Sequence, residues 1–224
     1  MALLGRAVVA IWNDILPEGK ANFIEWHNRE HIPERVGIPG FLRGRRYEAY
    51  YGEPAYYTLY EAEDASVLVG KDYLERLNSP TRWTKEATSA FRNTTRGVCE
   101  TVFSAGPGDG GVMMTLRFDA EADKRQPLSD YLRTRLAEVA GHYAISGVHL
   151  CIADAAASGI ETAEKQGREV GVPNWIIMIE GSETASVDAA TDHLLHGGLV
   201  AHGAIEEPVR GLYRLEYCLA DVSR

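Results

Sequence analysis

The stretch SAGPGDGG, residues 104–111, decides how the chain is read. Small residues around a single proline make a connector, not an element, and the same succession of elements reads on either side of it. Upstream, residues 7–12 are apolar and β-branched and predict a strand. Asn13, Asp14 and Pro17 favour a turn and a helix start, and residues 17–34 predict a helix that Gly37, Pro39 and Gly40 break. Residues 41–51 and 56–61 predict two strands around the turn GEP at 52–54. Residues 65–77 predict a second helix, and SPTRW at 79–83 a further helical turn with Ser79 as cap and Pro80 at its first position. Residues 97–103 predict the closing strand. Downstream, residues 112–118, 127–139, 148–153, 175–179, 184–195 and 212–219 predict strand, helix, strand, strand, helix and strand.

The order β-α-β-β-α-β therefore occurs twice. An offset of 106 sets Val8, Val9 and Ala10 against Met114, Thr115 and Leu116, and Trp12 against Phe118, before a longer second hairpin at 155–172 breaks it. One such unit is the ferredoxin-like split βαβ arrangement, an antiparallel sheet with both helices on one face. The other face is apolar and needs a cover, which a second copy can supply. The predicted fold is α+β: two ferredoxin-like repeats, residues 1–104 and 111–224, joined by a linker at 105–110, with their sheets packed into an α+β barrel.

Composition excludes several classes. The 224 residues are 45% hydrophobic, enough for a substantial core. A net charge of −9 repels phosphate backbones, so no nucleic-acid partner is expected. No apolar run approaches the roughly 18 residues of a membrane span, and the N-terminus reads as a strand, not a signal peptide. Cys99, Cys151 and Cys218 are dispersed in apolar surroundings, as expected of reduced, buried thiols in a cytoplasmic protein.

WHNREHIP at 26–33, the loop GIPGF at 37–41, the strand LRGRRYEA at 42–49 and YLERLNSPTRWT at 73–84 resemble the dimeric α+β barrel superfamily, notably its EthD-like and stress-responsive barrel members. The resemblance is good over residues 7–103; over the second half it rests on element order. It implies that two ferredoxin-like domains pair face to face, here within one chain, with further association into a homodimer as an option. It also implies cofactor-free monooxygenase, cyclase or isomerase chemistry on small aromatic or ring-forming substrates, or the handling of haem.

The residues themselves point to one place. At 100° per residue with Phe23 at zero, His27 falls at about 40° and His31 at about 80°, on the arc of Phe23 and Ile24 that should face the sheet. Buried imidazoles are costly unless they are hydrogen-bonded or line a wet cavity. The 106 offset sets them against Arg133 and Ala137, so the second half has no matching pair. Zinc would need a third ligand that the sequence does not mark, so no metal site is expected. Histidine suits a general base and tyrosine a helper that donates a proton. The candidate catalytic residues are His27, His31, Tyr47 and Tyr57; Phe23, Trp26, Arg46, Tyr50 and Trp83 are the candidate ligand contacts. Which strand parity faces the helices stays open at this level. The expected function is cofactor-free turnover of an aromatic metabolite through a histidine base. The alternative is a binding module for such a molecule or for haem.

Overall fold

The computed structural model describes residues 3–165 and 170–221. Eight antiparallel strands close into one barrel: β1 (Ala7–Ile15), β2 (Phe41–Tyr51), β3 (Tyr56–Ala62), β4 (Phe91–Ala105), β5 (Val112–Phe118), β6 (Ile145–Ala153), β7 (Trp175–Gly181) and β8 (Val209–Ala220). Around the ring the order is β1-β3-β2-β8-β5-β7-β6-β4, and β4 returns to β1. Each half of the chain supplies a contiguous arc, β4-β1-β3-β2 and β8-β5-β7-β6, and the arcs meet at β2–β8 and β4–β6. Closure removes the unpaired edges that an open sheet would expose. Over the first arc lie α1 (Lys20–Trp26), α2 (Ile32–Val36), α3 (Lys71–Asn78) and α4 (Arg82–Thr88). The second carries α5 (Arg125–Val139) and α7 (Thr184–Leu195), while the short α6 (Ala155–Ser158) packs on β4. Among the described residues no helix is long and apolar enough to cross a membrane.

Because both faces of the barrel wall are covered, strands read as nearly continuous apolar runs with two destinations. In β1, Val8, Ala10 and Trp12 join the cluster inside the barrel, while Ala7, Val9 and Ile11 pack under the helices. In β5, Met113 faces inward, and Met114, Leu116 and Phe118 face α5 and α7. The 106 offset is therefore one residue too long: it sets inward Val8 against outward Met114, and inward Trp12 against outward Phe118. Strand register gives 105, since Val8 lies opposite Glu61 and Met113 opposite Glu180. A one-residue slip turns every side chain to the other face. On the helices the corrected offset sets Phe23, His27 and His31 against Leu128, Leu132 and Leu136, not against Arg133 and Ala137.

The barrel interior is ionic at one end. Arg43 grips Glu61 through Nε (2.7 Å) and Nη2 (2.9 Å), and Arg45 grips Glu180 through Nη1 (2.9 Å) and Nη2 (3.2 Å). Arg45 also lies 3.1 Å from Glu61, tying the two pairs together. His149 Nε2 sits 3.2 Å from Glu180, and its Nδ1 meets Ser104 at 2.9 Å. Burial alone would raise the Glu180 carboxyl, but the His149 hydrogen bond and the Arg45 charge hold it at about 2. The connector closes this end: Asp109 pairs with Arg43, and the Gly110 amide donates to Glu180 at 3.1 Å. A Cβ on Gly110 would stand 2.4 Å from the Gly181 backbone, so glycine is required there.

Three local expectations are corrected. Thr81, not Ser79, caps the helical turn, its side chain accepting the Thr84 amide at 2.9 Å, and α4 starts at Arg82. Pro80 consequently precedes the helix instead of opening it. Cys218 is exposed, whereas Cys99 and Cys151 are buried; all three are free.

Candidate functional site

The helix bearing WHNREHIP is not regular. Pro33 has no amide proton, so the carbonyl four residues back loses its donor, and the proline ring crowds it. The chain widens: His27–His31 form a π turn in which the Ile32 amide donates to the His27 carbonyl. The helix continues as α2 and ends at Gly37. The wheel drawn at 100° per residue does not hold across this turn, yet both imidazoles end up inside, each 4% exposed. Their rings stack with centroids 5.6 Å apart. Trp26 lies 5.0 Å from His27 and 4.2 Å from His31, and Phe23 covers His27 at 4.6 Å.

Glu30, between the histidines, is structural. It accepts from Thr81 Oγ1 (2.6 Å) and Thr84 Oγ1 (3.3 Å), and Thr84 Oγ1 accepts from Trp26 Nε1 (3.2 Å). α4 thus fixes the Trp26 ring. Among the described residues no group of three or more His, Cys, Asp or Glu is placed to hold a metal ion.

Beside the imidazoles is a cavity between helix and barrel wall. Ile11, Asn13, Thr58 and Tyr60 form its floor; Trp26, His27, His31 and Arg35 form one side. Tyr73, Leu77, Phe91, Thr94 and Arg96 face them, and Thr162, Glu164, Lys165 and Val170 contribute from beyond α6. The space between the walls, mouth included, is about 630 Å³, of which only a small inner part is free, the room of a single small ring. In the second arc the corresponding region is filled by Leu132, Leu136, Val187, Leu194 and Trp175. The histidines stand where the other half places leucines.

His27 Nδ1 is buried without a hydrogen-bond partner. Burial, then the charges of Arg46 and Arg35, hold its pKa well below the usual histidine value, so the ring is neutral at neutral pH. The unfolded chain takes up a proton near pH ~6.5 that the native ring refuses. This contribution to stability is complete above that pH and is lost as pH falls toward the depressed native value. The urea midpoint should therefore drop between about pH 7.5 and about pH 5. His27→Phe should shrink that drop, and an unchanged drop would contradict the assignment.

Tyr60 is the second notable group. Its hydroxyl is buried without a partner, and burial pushes its pKa up, so it stays a neutral donor. Its ring lies edge-on to His31 at 6.3 Å. Of the residues expected from sequence, only Trp26, His27 and His31 line the cavity. Tyr47 and Tyr57 do not share it: they point into the barrel, where Tyr57 donates to the Met178 sulfur at 3.0 Å. The reason is parity, because β3 sends Tyr57, Leu59 and Glu61 inward and Thr58 and Tyr60 toward the helices. Tyr50 is 52% exposed at the end of β2. Arg46 stays outside the cavity wall, donating to Asn28 (2.9 Å) and Glu216 (3.1 Å) and covering Phe23. Phe23 supports His27 from behind, and Trp83 donates to Asn22 at 2.8 Å in the cluster under α4.

Sequence reasoning missed Thr58, Tyr73, Phe91, Arg96 and Lys165. One signal was present. Gly44 interrupts β2, and a Cβ there would meet Ile32 at 2.9 Å and Tyr60 at 3.0 Å. A glycine inside a strand marks close approach of another element, and this one identifies the even-numbered positions of β2 from Gly44 onward as the helix-facing set.

No family model matches the chain, and no curated protein sequence does. Solved structures do share its architecture. An anthrone oxidase-like protein is 12% identical with a TM-score of 0.67, covering 96% of this chain and 92% of that one. A protein from Lactobacillus acidophilus, provisionally named a monooxygenase, is 9% identical with a TM-score of 0.61 over 96% of each chain. A heme-binding protein from Thermus thermophilus is 10% identical with a TM-score of 0.54, covering 95% of this chain and 92% of that one. At these identities the likeness establishes a shared α+β barrel fold.

Proposed function

We propose that the chain is a single-chain barrel of the dimeric α+β barrel superfamily, built from two ferredoxin-like halves, residues 1–104 and 111–224, with the 105–110 connector between them. Only the N-terminal half carries an active site, a cofactor-free one for a small aromatic or enolisable molecule. The observation that carries this reading is the neutral, buried His27 imidazole with an unsatisfied Nδ1, lining a cavity. The monooxygenase and anthrone oxidase names of proteins with this fold support the same chemistry.

A ring seated against Trp26 presents its acidic O–H or C–H to His27. The imidazole takes the proton, and the electron pair stays on the substrate as a phenolate or enolate. Tyr60, still protonated, donates to the developing oxyanion, in a wall too dry for water to compete. The anion then reacts in one of three ways: it is reprotonated at another carbon, closes a ring, or gives electrons to dioxygen. In the oxidative course a CH₂ becomes a carbonyl. One oxygen atom goes to carbon and the other leaves as water, so the substrate is the reductant and no cofactor is needed.

Turnover of quinols, anthrones and enolisable lactones, followed by oxygen uptake and by deuterium exchange in heavy water, tests this directly. Exchange or uptake is expected from the wild type and not from a folded His27→Ala/His31→Ala variant. Equal activity in both would sink the proposal. The second reading is histidine-ligated haem without turnover, favoured by the heme-binding protein of the same fold. His27 or His31 is a suitable axial ligand type, but the free space as it stands is too narrow for the macrocycle. Added haem is therefore expected to leave its Soret band unshifted, and a shifted band lost in the same variant would favour this reading.

A further inference from the structure

Among the described residues three cations and one carboxylate line the cavity: Arg35, Arg96 and Lys165 against Glu164. Arg35 is engaged, with Glu164 at 2.5 Å and Glu34 at 3.1 Å. The other two have neutral partners. Arg96 Nη2 donates to the Tyr73 hydroxyl at 2.9 Å; Lys165 Nζ donates to the carbonyls of Ser158 (2.6 Å) and Ile160 (3.1 Å). Neither makes an ion pair among the described residues. Each is partly buried, and the two are close enough for Arg96 to oppose the charge on Lys165, whose pKa is lowered first by burial and then by Arg96. Glu161 favours the charge on Lys165, but among the described residues no carboxylate is in ion-pair contact with either cation, and two like charges beside an apolar wall favour an anion between them.

The surroundings define what the counter-ion is attached to. Strand register puts Arg96 beside Ile11, and Ile11 beside Thr58, in one row across β4, β1 and β3 under the helix. Phe91, Leu77 and Trp26 supply apolar and aromatic surface around that row. We propose that the cavity selects an aromatic carboxylate, its ring between Trp26 and Phe91 and its carboxylate between Arg96 and Lys165. This rests on the reading that the cavity is the ligand site, and names the substrate class for it. Charge-assisted hydrogen bonds from an arginine and a lysine set the orientation, because a carboxylate that turned inward would meet the neutral His27 imidazole and Tyr60 hydroxyl in place of Arg96 and Lys165.

Benzoate and its uncharged isostere benzamide are the probes, titrated by calorimetry and by intrinsic tryptophan fluorescence. Benzoate is expected to bind at least about tenfold more tightly than benzamide, with added salt weakening benzoate alone. Arg96→Gln/Lys165→Gln should bring the two affinities together by weakening benzoate while benzamide is unchanged. Single variants should fall between, which guards against a double variant that folds poorly. Equal affinities in the wild type, a preference that survives the double variant, or no binding of benzoate at millimolar concentration would each overturn the proposal. His27→Ala is expected to keep the preference. Turnover that persists in His27→Ala beside an intact preference would therefore remove the catalytic reading and leave this one standing.

Discussion

Glu180→Leu is expected to lower the free energy of unfolding by about 3–5 kcal/mol, the cost of leaving a buried charge without its partner. At the ~2–4 °C per kcal/mol typical of chains this long, the melting temperature should fall by about 6–20 °C. The size follows from what the carboxylate serves: both forks of Arg45, the His149 ring and the Gly110 amide. Leucine satisfies none of them, and Arg45 keeps Glu61 at 3.1 Å, which Arg43 already holds through two bonds, and a longer contact with Asp109 at 3.7 Å. Burying a pair is a different matter from breaking it, because replacing both partners by apolar groups is often near neutral. Arg45→Met/Glu180→Leu should accordingly recover much of the loss. A double variant as unstable as the sum of the singles would show that the ions are not coupled. Wild-type stability should also decline in strong acid, since the carboxyl is held at about 2, below its unfolded value. That contribution is present above about pH 4.5 and is lost as pH approaches 2.

His27→Ala is expected to lower kcat by about 10²–10⁴-fold, the usual contribution of a positioned general base, with little change in KM. Removing the imidazole takes away the proton acceptor but not the aromatic walls that bind the ring. Because the native pKa lies well below the ordinary value, the wild-type rate should be flat through neutrality and fall only in acid. Alanine leaves a gap beside Phe23 and Trp26 in which free imidazole can sit, so added imidazole should restore part of the rate. A variant that keeps wild-type kcat, or a rate that halves near pH ~6.5 like that of a solvated histidine, would contradict a buried base. His31 shares the stack but contributes chiefly shape and polarity, so its loss should cost less.

Element order was legible because strand and helix periods leave different marks: Thr184–Leu195 reads as a helix and is one. The paired histidines stood out because they occupy apolar positions of an amphipathic helix. What failed was parity. Tyr57 and Tyr60 are three residues apart and chemically identical, yet one enters the barrel and the other meets the cavity. A single tyrosine-rich strand does not say which. In β1 both faces are apolar, so composition cannot fix the register either, and an alignment one residue out looked as good as the correct one. The π turn was hidden for another reason: Pro33 signals a break, and whether the helix ends or bulges depends on tertiary packing. Arg96 and Lys165 reach the cavity from β4 and from beyond α6, at sequence distances that no local pattern spans.

The central claim is that the His27 ring borders a ligand space in the N-terminal half and is held neutral there. Long-range nitrogen–proton NMR of the seven histidines during a titration with phenol at neutral pH tests it most directly. Before addition His27 should show the neutral imidazole pattern, and on addition its nitrogens should shift saturably. The rings of His193 and His202, which lie on the second half, should not move. A His27 signal that is protonated at neutral pH, or that stays still while phenol binds elsewhere, would contradict the site.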